Sequence, residues 1–132
     1  DTQEGLRDPE SLEGRTLGVL DRAGLLELVA GDRDLGNGLA IVAAPGETPG
    51  HQILRVRSGD AVLYCVGDLF HHAVEAEHPE WMVTWADAAT MLATRRKVIT
   101  QALAERARLV AAHIRGVGRL EAAGAGVRWV TA

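Results

Sequence analysis

An α/β fold is predicted for this chain of 132 residues, and three features of the sequence predict it. Apolar runs of strand length occupy the first half of the chain. A stretch of helical periodicity without Gly or Pro extends from residue 87 to residue 106, and further apolar runs follow it. We therefore expect one domain in which strands precede and follow a single long helix, with enough apolar residues (47%) to bury a core.

Residues 1–24 are expected to form an N-terminal helical or linker segment, because they are polar and interrupted by Gly. The segment beginning Asp8-Pro9 is typical of a helix start, with Asp8 as the cap and Pro9 in the first turn. The first residues show neither an initiator Met nor the basic-then-apolar pattern of a signal peptide. We therefore interpret the sequence as part of a longer chain.

Four strands are predicted before the helix. The first two are the apolar runs Leu25–Val29 and Leu39–Ala43, separated by a turn-rich spacer at 31–38. Gln52–Arg57 alternates polar and apolar residues, and Ala61–Val66 is continuously apolar after a Ser-Gly-Asp turn. These last two runs predict a hairpin whose second strand is the more deeply buried.

The long helix is predicted over Asp87–Arg106, where apolar residues recur near helical spacing. A strand is predicted to follow over Leu109–Ile114. The runs Arg119–Glu121 and Val127–Val130 flank a Gly-bearing turn and predict a closing hairpin.

Charge and composition exclude several classes of partner. The net charge is −4, and the fourteen basic residues are dispersed instead of forming a stripe, so nucleic acid is not an expected partner. The longest apolar runs are far shorter than the roughly 20 residues of a transmembrane helix, so no membrane partner is expected. The single cysteine, Cys65, lies in an apolar run and can form no internal disulfide, which favours a cytoplasmic location.

Three polar residues occupy positions at the ends of predicted strands. His51 follows two Pro-Gly turns that fix an imidazole at the start of a strand. Asp68 ends a buried strand, where a carboxylate needs a cation or several donors to offset its desolvation, and His113 ends a later strand. Taken singly, each has an ordinary structural explanation as a hydrogen-bonded histidine or a turn-forming aspartate. Strand ends of one sheet can nevertheless converge on one edge.

Taken together, these residues resemble the second half of the metallo-β-lactamase superfamily. A Thr-Pro-Gly-His turn ending at His51, a Gly-Asp pair at Asp68 and a late strand-terminal histidine at His113 occur there in this order. The resemblance covers residues 25–132 and implies the C-terminal half of an αββα sandwich: a mixed β-sheet with a long helix packed on one face. Residues 1–24 would then come from the mid-region of the parent fold.

The resemblance also implies a dinuclear metal site. His51 would bind one metal, Asp68 would bridge both metals and His113 would bind the other. Imidazole and carboxylate ligands suit zinc, and iron or manganese accept the same set. The other side of the site comes in this superfamily from a His-x-His-x-Asp-His loop, which this sequence does not contain. The site is therefore expected to be incomplete in this chain.

A narrower resemblance rests on Gly67–Val74 and His78–Trp81, which are similar to the lactonase-like and methyl-parathion-hydrolase-like branch of the superfamily. By that resemblance His71 and His72 line the pocket or orient its ligands. The alternative for both is that they cap a loop and face solvent. Two arginines on the long helix, at positions 95 and 96, are expected to be surface or ion-pair residues.

The function implied for the full-length parent is metal-dependent hydrolysis of an ester, lactone or similar small molecule by a metal-bound hydroxide that Asp68 positions. The expected partners are the small-molecule substrate and either the missing N-terminal half or a second chain that covers the exposed sheet face. The isolated 132 residues are expected to be inactive. One alternative is a non-catalytic half-fold that serves as an interaction or assembly module. The other is an unrelated α/β binding domain, in which the three ligand positions would be scattered.

Overall fold

A computed structural model of the chain describes residues 2–124 and 126–131. Its centre is a seven-stranded sheet in which the strands are arranged in chain order. The strands are β1 (Arg33–Gly36), β2 (Leu39–Ala43), β3 (Gln52–Ser58), β4 (Ala61–Cys65), β5 (Arg108–Val110), β6 (Gly118–Ala123) and β7 (Gly126–Thr131). The helices are α1 (Thr2–Arg7), α2 (Leu12–Arg15), α3 (Leu17–Arg22) and α4 (Ala88–Ala104), with short 3₁₀ turns at Gly67–Leu69 and Ala73–Ala76.

The sheet is mixed, as predicted. Strands β4 and β5 are parallel, and every other neighbouring pair is antiparallel. Parallel neighbours require a long crossover connection, and the segment between β4 and β5 contains α4. Among the described residues, no helix is long and apolar enough to cross a membrane.

Most predicted elements are confirmed. Strand β2 has the predicted bounds, β3 and β4 form the predicted hairpin, and β6 and β7 form the closing one, whose turn includes residue 125, outside the described residues. Helix α4 lies within the predicted range and begins after Asp87, whose side chain accepts a hydrogen bond from the Thr90 backbone N–H (2.8 Å). This cap satisfies one of the free N–H groups of the first turn.

The first predicted strand is wrong. Leu25–Val29 is irregular, with Leu25 and Leu28 exposed, whereas β1 forms inside the predicted spacer. The reason is the turn between β1 and β2, where Asn37 and Gly38 both have positive φ. An Asn-Gly pair favours a tight two-residue hairpin loop, and this local signal outweighs the apolar run upstream.

The predicted helix start at Asp8 is also wrong. Helix α2 begins after Ser11, whose hydroxyl accepts a hydrogen bond from the Gly14 N–H (2.9 Å). The Asp8 carboxylate instead accepts from the Glu10 N–H (2.9 Å), which forms a turn and not a helix. Helices α1 to α3 all lie within residues 1–24, the segment that was expected to be helical or a linker.

Helix α4 packs on one face of the sheet, as predicted. Its buried residues include Met91, Val98 and Ala102, which share a core with Tyr64 of β4 and Leu109 of β5. Phe70 and Trp129 extend this core with an edge-to-face contact at 6.0 Å between ring centroids.

The other face of the sheet is apolar and only partly covered. Side chains alternate along a strand. Because Val62 and Tyr64 of β4 are buried against α4, Leu63 and Cys65 point to the opposite face. The registers of β2, β3 and β4 place their outward residues side by side. We call this set the apolar sheet face, and all of its members are half-buried: Leu39, Ile41, Leu54, Val56, Leu63 and Cys65.

Candidate metal centre

The turn before β3 fixes the His51 imidazole. Its Nδ1 lies 3.0 Å from the carbonyl oxygen of Ala44, a residue that is wholly buried. A carbonyl oxygen can only accept a hydrogen bond, so Nδ1 carries the proton and Nε2 carries the lone pair. This is the tautomer in which Nε2 can bind a metal, and a carbonyl partner on the other nitrogen is the usual support for such a ligand.

Asp68 lies beside His51 in the 3₁₀ turn that follows β4. Gly67 has a φ of +55°, and a Cβ at this position would lie 3.0 Å from His51 Nε2. The Asp68 backbone N–H donates to the same Nε2 (3.2 Å). The Asp68 side chain is 43% exposed, so its charge is not the buried, costly one that its position after a buried strand had suggested.

His113 reaches this turn from the other side. Strand β5 ends at Val110, so His113 lies three residues beyond it, and its predicted position at the strand end is wrong. The chain continues alongside the Asp68 turn because the Ala112 N–H donates to the Gly67 carbonyl (2.9 Å). As a result His113 Nε2 lies 3.2 Å from Asp68 Oδ1.

His71 joins the same cluster, whereas His72 does not. The His71 ring stacks on the His113 ring with centroids 4.8 Å apart and planes at 18°. One ligand atom each from Asp68, His71 and His113 lies within 4.8 Å of the others, and His71 Nδ1 is buried without a hydrogen-bond partner among the described residues. His72 is exposed, and its Nδ1 accepts from the Val74 N–H (3.2 Å), which is the loop-capping arrangement.

Solved structures share this architecture. The chain aligns with AidC, a dizinc quorum-quenching lactonase in complex with its product, at a TM-score of 0.73 and 22% identity. It aligns with the hydrolase AbOPH of the beta lactamase superfamily at 0.70 and 19%, and with a probable metal-dependent hydrolase from Staphylococcus aureus at 0.70 and 16%. No family model and no curated protein matches the sequence.

The alignment covers all of this chain in the first two cases and 85% of it in the third, but only 49%, 50% and 42% of the solved chains. The chain thus spans about half the length of the structures it matches. It has a metallo-β-lactamase half-fold. This confirms the predicted fold class.

The donor set of the half-fold suits divalent metals. Three imidazoles and one carboxylate are the ligand types that zinc, iron and manganese accept. The His51 lone pair lies at Nε2, where it accepts from the Asp68 N–H in this structure, and His71 has a buried nitrogen that a ligand would satisfy. These four donors are enough to hold one such ion, since a metal of this type needs at least three protein ligands.

A buried arginine of the half-fold was not identified from the sequence. Arg95 is fully buried and not on the surface, although the alternative that it forms an ion pair is correct. Its guanidinium donates to the carbonyl oxygens of Leu69 (Nε, 2.7 Å), Pro79 (Nη1, 3.1 Å) and Trp81, and to Glu75 Oε2 (Nη2, 2.7 Å). Burial lowers the pKa of Arg95, and the Glu75 carboxylate opposes this shift.

The spacing along α4 contained the signal for this burial. Arg95 follows Met91 by four residues and precedes Val98 by three, so it lies on the apolar stripe of the helix. Arg96 lies one position off that stripe and is exposed, as expected. Arginine is usually a surface residue, so Arg95 was expected at the surface or in an ion pair despite its position on the apolar stripe.

An open cavity of about 370 Å³ adjoins the His51 turn. The indole N–H of Trp85 donates to Glu47 Oε1 (2.8 Å) at its rim, and the Trp85 ring lies 6.5 Å from the His71 ring in an edge-on arrangement. Trp85 is 66% exposed, so an aromatic surface is available beside the candidate metal centre. The cavity is lined by Pro45, Gly46, Glu47, Pro49, Trp85, Asp87 and Thr90.

Proposed function

We propose that this chain is the C-terminal half of a metal-dependent hydrolase of the metallo-β-lactamase superfamily that cleaves an ester, a lactone or a similar small molecule. The observation that carries the proposal is the juxtaposition of His51, Asp68 and His113 at one end of the sheet. The fold supports it, because solved proteins with this half-fold include a dizinc lactonase and a probable metal-dependent hydrolase.

The proposed roles divide the ligands between two divalent ions, with zinc the first candidate and iron or manganese the alternatives. His51 would hold one metal and His113 the other, and Asp68, the proposed catalytic residue of this half, would bridge the two. Bound metals of this type supply a nucleophilic water at neutral pH and stabilise the negative charge that develops on the substrate.

The residues of the chain supply orientation. The Ala44 carbonyl keeps the His51 proton on Nδ1, and the stacked rings of His71 and His113 limit each other's rotation beside Asp68. The open cavity beside Trp85 and Pro49 provides an apolar wall for the organic part of a substrate. We assign His71 to the pocket, and His72 to the loop cap.

The rest of the molecule is supplied by the N-terminal half of the parent protein or by a second chain. The apolar sheet face is the surface that this partner covers, since six adjacent apolar side chains there are only half-buried. Such a face on a stable domain normally packs against another layer. The partner would also bring the remaining metal ligands.

An interaction or assembly module without catalysis is the second candidate. It would be favoured if the residues that precede this chain in the full-length protein lack a His-x-His-x-Asp-His segment. The two candidates differ in one property, because only the hydrolase turns over an ester bond.

The test is a hydrolysis assay of the full-length protein supplemented with zinc or manganese, using a lactone, an aryl ester and a phosphotriester. We expect turnover that falls by at least about 100-fold in the His51→Ala, His113→Ala double variant, because losing metal removes several kcal/mol of transition-state stabilisation. His72→Ala is the matched control and keeps its activity. The isolated 132 residues are expected to be inactive, and a folded, metal-loaded full-length protein with no turnover would favour the interaction module.

A further inference from the structure

Helix α4 holds the loop that carries His51. The Thr94 hydroxyl donates to the Pro45 carbonyl (2.6 Å), and the Asp87 N–H donates to the Gly46 carbonyl (2.8 Å). Gly46 packs so closely on the helix that a Cβ there would lie 2.4 Å from the Met91 Cα. One face of α4 thus fixes the backbone of the first ligand loop.

The same helix holds the second ligand segment through Arg95. Its side chain is fully buried and donates to three backbone carbonyls between Leu69 and Trp81, as well as to Glu75. A guanidinium suits this task because its donors lie in a fixed plane and can meet several acceptors at once. Segment 69–81 is therefore folded around one buried cation.

Glu75 connects that cation to the metal cluster. The carboxylate oxygen that accepts from Arg95 also accepts from the His71 backbone N–H (2.8 Å). His71 in turn stacks on His113, and Asp68 lies three residues before it. The hydrogen-bonded path from Arg95 to the cluster therefore contains a single intervening residue.

We propose that Arg95, acting with Glu75, is a positioning residue for the metal centre. It fixes segment 69–81 so that Asp68 and His71 face His113. The inference rests on the metal site proposed above, and it differs from a merely structural role in one respect. A structural arginine changes the stability of the fold, whereas a positioning arginine also changes the affinity and geometry with which the folded protein holds metal.

The experiment compares Arg95→Lys and Glu75→Gln with wild type in the full-length protein. Arg96→Lys is the matched control, because Arg96 is the adjacent arginine on α4 and is exposed. Each protein is titrated with Co²⁺, whose visible absorption reports the ligand geometry, and its Zn²⁺ affinity is measured by competition with a chelator. Circular dichroism of the metal-free proteins shows which of them fold.

We expect Arg95→Lys to fold and to bind zinc 10- to 100-fold more weakly with a changed Co²⁺ spectrum, as is typical when the support of a metal ligand is removed. Glu75→Gln should also bind zinc more weakly and show a changed Co²⁺ spectrum. Arg96→Lys should match wild type in both measurements. Wild-type affinity and spectrum in Arg95→Lys would overturn the inference and leave the proposed function intact. If Arg95→Lys does not fold, wild-type zinc affinity in Glu75→Gln overturns the inference. A wild-type protein that binds no metal overturns both the inference and the proposed function.

Discussion

At the scale of single residues, the cluster depends on the orientation of each imidazole. His51 is oriented by a buried carbonyl, and His71 has a buried Nδ1 without a partner among the described residues. A buried nitrogen in that state costs about 1–3 kcal/mol, which a bound ligand would recover. The close approach of Gly67 to His51 makes the backbone at that point part of the site.

We predict that Gly67→Ala weakens metal binding by about tenfold or more. Alanine at a φ of +55° costs roughly 1–2 kcal/mol, and its Cβ would lie 3.0 Å from His51 Nε2 and displace the ring. Gly59→Ala is the matched control, since Gly59 has a φ of +57° and no atom within 4 Å of the added Cβ. Both variants should lose stability in urea, but only Gly67→Ala should lose zinc affinity. Equal affinities would show that His51 is not a ligand.

Local patterns mark three of the candidate ligand positions in the sequence: two Pro-Gly turns before His51, a Gly-Asp pair at Asp68 and an apolar run before His113. The sequence offered His71 and His72 alike as pocket residues and could not separate them, since the distinguishing feature is the stacking of His71 on His113. That contact joins residues 42 positions apart in sequence, and no local pattern encodes it.

At the scale of elements, helix α4 is fixed to the sheet at its C-terminal end by Glu105. This carboxylate accepts hydrogen bonds from Arg55 Nε (3.2 Å), Arg57 Nη2 (3.2 Å) and the Tyr64 hydroxyl (2.8 Å). The hydrogen bond from Arg55 lowers the pKa of Glu105, and burial opposes the shift. Tyr64 shows the converse effect, because burial and the adjacent carboxylate raise its pKa.

We predict that Glu105 makes the stability of the fold depend on pH in the acid range. Its pKa is lower in the folded chain than in the unfolded one, so the unfolded chain binds more protons as the pH falls. The contribution is complete above the unfolded pKa, about 4.3, and is lost as the pH falls through the folded value. Urea unfolding from pH 7 to pH 3 should show Glu105→Gln about 1–2 kcal/mol less stable at pH 7 and the difference shrinking towards pH 3. The exposed Glu77→Gln is the control, and a difference that does not change with pH contradicts the account.

Periodicity predicted the elements whose burial pattern repeats along their length, such as α4 and the β3–β4 hairpin. It failed where burial depends on a partner outside the segment. Leu25–Val29 has the composition of a strand but lies at no sheet edge, whereas the fully exposed β1 pairs with β2 because of its turn. Backbone pairing, and not side-chain hydrophobicity, decides the position of the edge strand.

At the scale of the whole molecule, the half-fold is one-sided in two ways. Its sheet has α4 on one face and the apolar sheet face on the other, and its candidate metal cluster has donors for little more than one ion. The solved structures with this fold are about twice as long. In the proposed function, the N-terminal half or second chain would cover the sheet and complete the ligand set.

The most direct test of this account is the metal content of the protein per chain, measured by elemental mass spectrometry after zinc loading and dialysis. The account predicts about two zinc ions in the full-length protein and at most one, weakly held, in the isolated 132 residues, because two metals need more ligands than this half provides. Substituting both His51 and His113 with alanine should reduce the content of the full-length protein. Two tightly held ions in the isolated chain, or full-length protein whose zinc content is unchanged by the double substitution, would contradict it.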